Sequence, residues 1–156
     1  MGRIGISQWV ERGCHPSLRL VEDNSINREI MFNQLTSSAC SVDVASNGRE
    51  ALRKYRTGSY NLILTDIEMP GMDGYELTAT IRRLEVGTGD STLILAITAS
   101  EFDLSSDVAK ARGFDGHMLK PLSLAGLEKK LSDLRHFRRR KLPADQALCR
   151  GSALRP

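Results

Sequence analysis

The sequence predicts an α/β fold: a five-stranded parallel sheet with helices packed on both of its faces. Three observations carry this. Short apolar runs alternate with amphipathic stretches from Leu18 to Leu134, and such alternation gives crossover connections and a parallel sheet. The central run, Leu62-Ile63-Leu64, is apolar throughout, the pattern of a strand covered on both faces. Asp66 ends that strand and Pro70, Gly71 and Gly74 follow closely; ligands of open α/β sheets bind in the crevice beyond the carboxyl ends of the strands.

Taken in order, Leu18 to Val21 forms the first strand and ends at Glu22-Asp23. A helix follows, capped by Asn24 or Ser25, with Ile26, Ile30, Met31 and Leu35 on its apolar face. Val42 to Ala45 is the second strand. Asn47 caps the next helix, with Glu50 three residues on as in a capping box, and Ala51, Leu52 and Tyr55 make its apolar side. After the central strand, Asp73-Gly74-Tyr75-Glu76 opens a third helix with Leu77, Ile81 and Leu84 at i, i+4, i+7. Leu93 to Ile97 is the fourth strand, ending at Thr98. A weakly patterned helix over 104–112 stops at Gly113, a natural C′ residue. His117 to Leu119 is the last strand, ending at Lys120-Pro121. Ser123 caps a final helix carrying Leu124, Leu127, Leu131 and Leu134.

A chain of 156 residues supports a single domain with a sizeable core. No apolar run approaches the ~18 residues of a membrane span, the broken apolar stretch after Arg3 is not expected to be a secretory signal, and no membrane contact is expected of this domain. Cys14, Cys40 and Cys149 lack metal-site spacing and are odd in number, which fits reduced thiols and a cytoplasmic setting. The net charge of +3 is local in origin: Arg135, Arg138, Arg139, Arg140 and Lys141 crowd the C-terminus. Such a run reads as a solvated tail, and no nucleic-acid partner is expected. The expected organisation is a poorly ordered lead-in or linker over 1–16, a domain over 17–137, and a basic, disordered tail over 138–156.

Four of the five strands end in a matching set: Glu22-Asp23, Asp66, Thr98 and Lys120. A parallel sheet brings its carboxyl ends to one edge, so the set gathers there. Asp23 and Asp66 are hard oxygen ligands suited to Mg²⁺, with Glu22 placed to hold one of its waters. Clustered carboxylates repel unless cations neutralise them, and Mg²⁺ and the Lys120 ammonium supply that charge. The same cations stabilise an incoming phosphoryl group, and a carboxylate there can act as nucleophile. Thr98 offers a hydroxyl to a phosphoryl oxygen.

These residues carry a resemblance. Val21-Glu22-Asp23-Asn24, Leu64-Thr65-Asp66-Ile67-Glu68-Met69-Pro70-Gly71-Met72-Asp73-Gly74, Ile97-Thr98-Ala99 and Leu119-Lys120-Pro121-Leu122 resemble the receiver domains of two-component response regulators, over about Ser17 to Leu134. With Arg28 and Glu29 after Asn27, the chain looks most like receivers of hybrid sensor histidine kinases. The resemblance implies a flavodoxin-like (βα)5 sandwich with strand order 2-1-3-4-5, for which a receiver is itself a standing example. It makes Asp66 the phospho-acceptor. It gives Mg²⁺, with Mn²⁺ as a substitute, to Asp23, Asp66 and the backbone carbonyl of Glu68, assisted by Glu22. Thr98 and Lys120 bind the phosphoryl group, the bond to Pro121 is cis, and His117 falls where the family often has a switching aromatic. The implied partner is a histidine kinase or histidine phosphotransfer domain. No independent turnover enzyme is implied beyond self-phosphorylation and autodephosphorylation, and the parent protein is a candidate hybrid kinase.

Two features stand apart. Arg19 interrupts the first strand, where burial without a partner is costly; it implies a frayed strand or a side chain that snorkels outward. The residues after the final helix carry no DNA-reading motif and are not expected to form an output domain. The competing readings are a non-phosphorylated interaction module, which does not need all four groups, and an aspartyl phosphatase, which lacks the second Asp of an Asp-x-Asp-x-Thr pattern.

Overall fold

The computed structural model describes residues 17–36, 41–58, 60–89, 91–100 and 104–138. The lead-in over 1–16, Trp9, the three cysteines and the tail from 139 onward lie outside them. The elements run β1 (Ser17–Val21), α1 (Ser25–Thr36), β2 (Ser41–Ala45), α2 (Gly48–Thr57), β3 (Leu62–Asp66), α3 (Gly74–Glu85), β4 (Leu93–Thr98), α4 (Ser106–Ala111), β5 (Gly116–Leu119) and α5 (Leu124–Arg138). All strand pairs are parallel, and the sheet order is β2-β1-β3-β4-β5.

Alternation along each strand sorts side chains between two cores. Leu18, Leu20, Leu62, Leu64, Leu95 and Ile97 pack with Met31 and Leu35 of α1 and Leu127 and Leu131 of α5. Val21, Ile63, Ile94 and Ala96 face the other way, against Ala51 of α2, Leu77 and Ile81 of α3 and Ala109 of α4. β3 and β4 are buried along their whole length, which is why they read as unbroken apolar runs.

The caps match their residue types. Asn24 Oδ1 accepts from the Ile26 and Asn27 amides at 3.0 and 3.1 Å and so caps α1. Asp73 and Glu76 form a complete capping box at α3. Ser123 Oγ accepts from the Gly126 amide at 3.0 Å. Gly113, just past α4, has φ +95°, the left-handed conformation that favours glycine.

Leu84, expected beside Leu77 and Ile81 on the apolar face of α3, lies at its exposed edge, 39% accessible. Three further expectations need correcting. The apolar face assigned to α1 was too wide. Met31 and Leu35 are buried, whereas Ile26 and Ile30 are 67% and 53% exposed. At about 100° per residue, Ile26 and Leu35 lie on opposite sides of the helix, and the sheet covers only one of them. At α2, Asn47 does accept from the Glu50 amide, at 2.8 Å. The Glu50 carboxylate, however, takes the Ser46 amide and hydroxyl at 2.8 and 2.6 Å instead of returning to the cap residue. Hydrogen bonds from the Ser46 hydroxyl and amide, with Lys54, hold the Glu50 carboxyl down at about 2.

The third correction is Arg19. β1 is regular through it, and its side chain is 1% exposed, so it neither frays the strand nor reaches outward. Asp43 is its direct neighbour on β2, and the two side chains pair at 2.7 Å. The guanidinium lies over the Tyr60 ring, 4.0 Å from its centroid, and the Tyr60 hydroxyl donates to Asp43 at 3.0 Å. Burial lowers the Arg19 pKa and the charges of Asp43 and Glu50 oppose it; a guanidinium stays charged throughout. Removing one partner of a buried pair costs more than replacing the cation with an apolar chain. Asp43 is half-exposed, which moderates the effect. Asp43→Ala is expected to cost about 2–3 kcal/mol in urea unfolding, and Arg19→Met less than about 1 kcal/mol. Equal losses in the two variants would contradict this account of the pair.

Candidate metal and phosphoryl site

The carboxyl edge of the sheet gathers its polar groups in one crevice. β1 hands over Glu22 and Asp23, and β3, its neighbour in the sheet, ends on Asp66. Ligand oxygens of these three residues all lie within 4.8 Å of one another. Glu22 and Asp66 are buried, and Asp23 is exposed. The Lys120 ammonium sits between the two buried acids, 2.9 Å from Glu22 Oε2 and 3.0 Å from Asp66 Oδ2.

The charges decide the behaviour of the cluster. Burial is the largest influence on Glu22 and raises its carboxyl; the Lys120 hydrogen bond opposes this, the Asp66 charge adds to it, and the net direction is up. For Lys120, burial is again the largest single influence and would lower the ammonium. The hydrogen bonds and charges of Glu22 and Asp66 together outweigh it, and Lys120 is held above its ordinary value. Three carboxylates against one ammonium leave the crevice short of positive charge. Close-set hard oxygens around a deficit of positive charge suit Mg²⁺, and the residues present therefore fit the ion.

The surrounding loops fix Asp66. The Glu68 amide donates to its Oδ1 at 3.3 Å, and the Thr65 hydroxyl donates to its carbonyl at 2.9 Å. The Gly74 amide closes the loop onto Ile67 O at 2.9 Å. A Cβ at Gly74 would collide with the Asp66 carbonyl, so the first turn of α3 can lie against the strand end only with glycine there. Thr98 is buried at the end of β4. Its hydroxyl engages Ser100, donating to O at 3.2 Å and accepting from N at 3.3 Å. Its carbonyl accepts the Lys120 amide at 2.8 Å. The Lys120–Pro121 peptide is cis.

Of the residues singled out from sequence, Glu22, Asp23, Asp66 and Lys120 come together directly. Thr98 borders them through Lys120 and its hydroxyl turns to its own loop. Glu68 contributes an amide to Asp66 while its side chain is exposed. His117 sits half-buried in β5 opposite Ala96, below the strand end. Sequence reasoning did not assign Arg28 or Thr65 a place here. Arg28 Nη1 donates to the carbonyls of Glu22 and Asp23 at 2.8 and 3.3 Å; its position one turn into the helix after the acid pair was the available signal.

Sheet order and crevice define a class: a doubly wound, flavodoxin-like fold with an acidic site at the carboxyl ends of β1 and β3. The response regulator receiver domain model matches residues 18–132, and the chain belongs to that family. It is 42% identical over 110 residues to hybrid signal transduction histidine kinase G of Dictyostelium discoideum, a match covering 69% of this chain and 3% of that protein. Among solved structures it is similar to the co-crystal structure of the Saccharomyces cerevisiae phosphotransfer protein Ypd1 with the receiver domain of Ssk1, at TM-score 0.71, 28% identity and coverage of 83% and 94% of the two chains. It is also similar to the Thermotoga maritima response regulator TrrA in complex with Mg²⁺-BeF, at TM-score 0.65, 30% identity and coverage of 76% and 98%. The chain spans about a quarter or less of the length of the curated relatives it matches. No helix among the described residues is long and apolar enough to cross a membrane.

Asp23 is the exposed member of the trio, so its charge repels the other two without burying itself. Asp23→Asn is expected to raise the melting temperature in metal-free buffer, and Mg²⁺ to raise that of the wild type more than that of the variant. Binding to the folded state alone stabilises by about 2.7 kcal/mol at a hundredfold excess over Kd. Thermal melts with chelator and with MgCl₂ check both signs; equal Mg²⁺ shifts would count against the site.

Proposed function

We propose that this domain accepts a phosphoryl group on Asp66 from a phosphohistidine of a histidine kinase or phosphotransfer domain, and switches conformation in response. The observation that carries the reading is the Asp66 carboxylate, held at the strand end by the Glu68 amide and bridged by Lys120 to Glu22. Asp23, Asp66 and the Glu68 carbonyl, assisted by Glu22, would hold the metal. Bound Mg²⁺, or Mn²⁺ in its place, supplies positive charge for the phosphoryl oxygens. An Asp66 oxygen attacks phosphorus, the new P–O bond forms as the P–N bond breaks, and the imidazole leaves with a proton. Lys120 then pairs with the phosphoryl group and the Thr98 hydroxyl turns from Ser100 to meet it.

The receiver unit is 17–137, with the lead-in and the basic tail as flanking segments. A relay fed by ATP places it in the cytoplasm, within a hybrid kinase or a response regulator. The partner follows from the chemistry and is supported by the Ypd1 complex of the similar Ssk1 receiver.

Asp66→Asn is expected to abolish labelling by a phosphohistidine donor and leave the circular dichroism spectrum unchanged; undiminished labelling would remove the assignment. A second expectation concerns the switch. A phosphoryl group adds about −1.5 to −2 charges, and switches of this kind bias an existing two-state element. A phosphoryl mimic with Mg²⁺ is expected to shift amide signals from Thr98 to Gly113 and around His117. Thr98→Ala is expected to accept phosphate yet lose most of that distal response. A wild-type response confined to the metal site, or an unaltered response in Thr98→Ala, would overturn the mechanism.

A further inference from the structure

The turn that delivers Asp23 is anchored from behind. The last sheet bond on this side is the Glu22 amide to Ala45 O, at 3.1 Å. Beyond it the backbone has left the ladder, and the Glu22 and Asp23 carbonyls need other donors. Arg28 supplies them. It is half-buried one turn into α1, and a single nitrogen, Nη1, reaches Glu22 O at 2.8 Å and Asp23 O at 3.3 Å. Glu22 Oε1 accepts the Asn24 amide at 3.2 Å, and Asn24 Oδ1 caps the helix that carries Arg28. The circuit closes on itself.

Resting on the proposed metal site, we infer that Arg28 is a positioning residue for Asp23. The two carbonyls it holds belong to the peptide planes on either side of the Asp23 Cα. Anchoring both planes fixes φ and ψ at that residue, and the chirality of Cα then fixes the direction of Cβ. Without the anchor the turn keeps Glu22, which Lys120 retains, but the peptide plane that carries the Asn24 amide loosens and the exposed Asp23 carboxylate is no longer aimed at the oxygens of Glu22 and Asp66. The guanidinium has a second, opposing effect. It is a cation beside a cation site and by charge alone would weaken Mg²⁺ binding. The guanidinium is bonded to the Asp23 carbonyl and so lies well inside the Debye length of about 8 Å at physiological ionic strength; salt leaves the repulsion in place, and the lost aim of Asp23 is expected to outweigh it.

The two effects predict opposite outcomes when Arg28 is removed, and the test uses Mg²⁺ alone, with no phosphodonor. Calorimetric titration of the full chain is expected to show Arg28→Ala binding Mg²⁺ about tenfold more weakly than wild type, in line with outer-sphere residues at metal sites. Arg28→Lys, which keeps a donor and the charge, is expected to recover part of the loss. Amide exchange is the second readout. In metal-free Arg28→Ala the Asn24 amide is expected to exchange faster, while Ile94 and Leu95, in the sheet interior, keep their protection. Equal or tighter Mg²⁺ binding by Arg28→Ala would overturn the inference and leave the metal site standing. Loss of protection at Ile94 and Leu95 together with the affinity would also overturn it, because the residue would then serve the whole fold. A wild-type chain with no Mg²⁺ response would remove the site itself and this inference with it.

Discussion

Two carboxylates are buried at one edge of the sheet, and one ammonium makes that arrangement tolerable. Glu22 and Asp66 lie on adjacent strands, so the parallel topology forces them together, and a pair of buried like charges without a cation is strongly unfavourable. Lys120 comes from beyond β5, two strands away from β3, or about 9.5 Å at ordinary strand spacing. Only a long side chain spans that gap. Its backbone is pinned by the bond from its amide to Thr98 O, which ties the ammonium's position to the end of β4. The acids, the lysine and the threonine are thus linked through one side chain and its backbone.

The rest of the polar interior works by the same rule with different partners. Arg19 is buried in β1 because Asp43, its neighbour in the register, and the Tyr60 ring surround it. The pair also places a charge on the outermost strand, β2, where an apolar edge would invite pairing with another chain. At the opposite end of the sheet Arg82 of α3 spends its donors on Gly113 O at 2.9 Å, Thr92 O at 2.8 Å, Glu85 at 2.8 Å and Asp115 at 2.8 Å. Asp115 in turn accepts the Ile94 amide at 2.9 Å. This clasp fastens α3 to the start of β4 and to the entry of β5. It leaves the carboxyl ends of the same strands, where Thr98 and Lys120 sit, as the part not fastened by it.

The motif residues were legible because each does a local job that its chemistry advertises. A short apolar run, bounded by turn residues and set between helical stretches, reads as a strand covered on both faces, and β3 and β4 are such runs. Asp73 with Glu76, Ser123 and Gly113 announce caps, since few other residues can satisfy or adopt those backbone states. The gathering of Glu22, Asp23, Asp66 and Lys120 followed from topology once the strands were assigned.

Sequence by itself therefore determined the fold class, the strand order through the family resemblance, and the membership of the crevice. Tertiary structure alone decided three things. It rotated α1 so that Met31 and Leu35 face the sheet and Ile26 and Ile30 face outward, because the sheet covers one side of a helix whose apolar residues were spread around it. It buried Arg19, because the cost of a buried charge depends on a partner 24 residues away that only the β1–β2 register supplies. And it sent Arg28 back to the carbonyls of the acid turn, because where a flexible, five-donor side chain ends is set by which acceptors the fold leaves unpaired, and not by its own place in the chain.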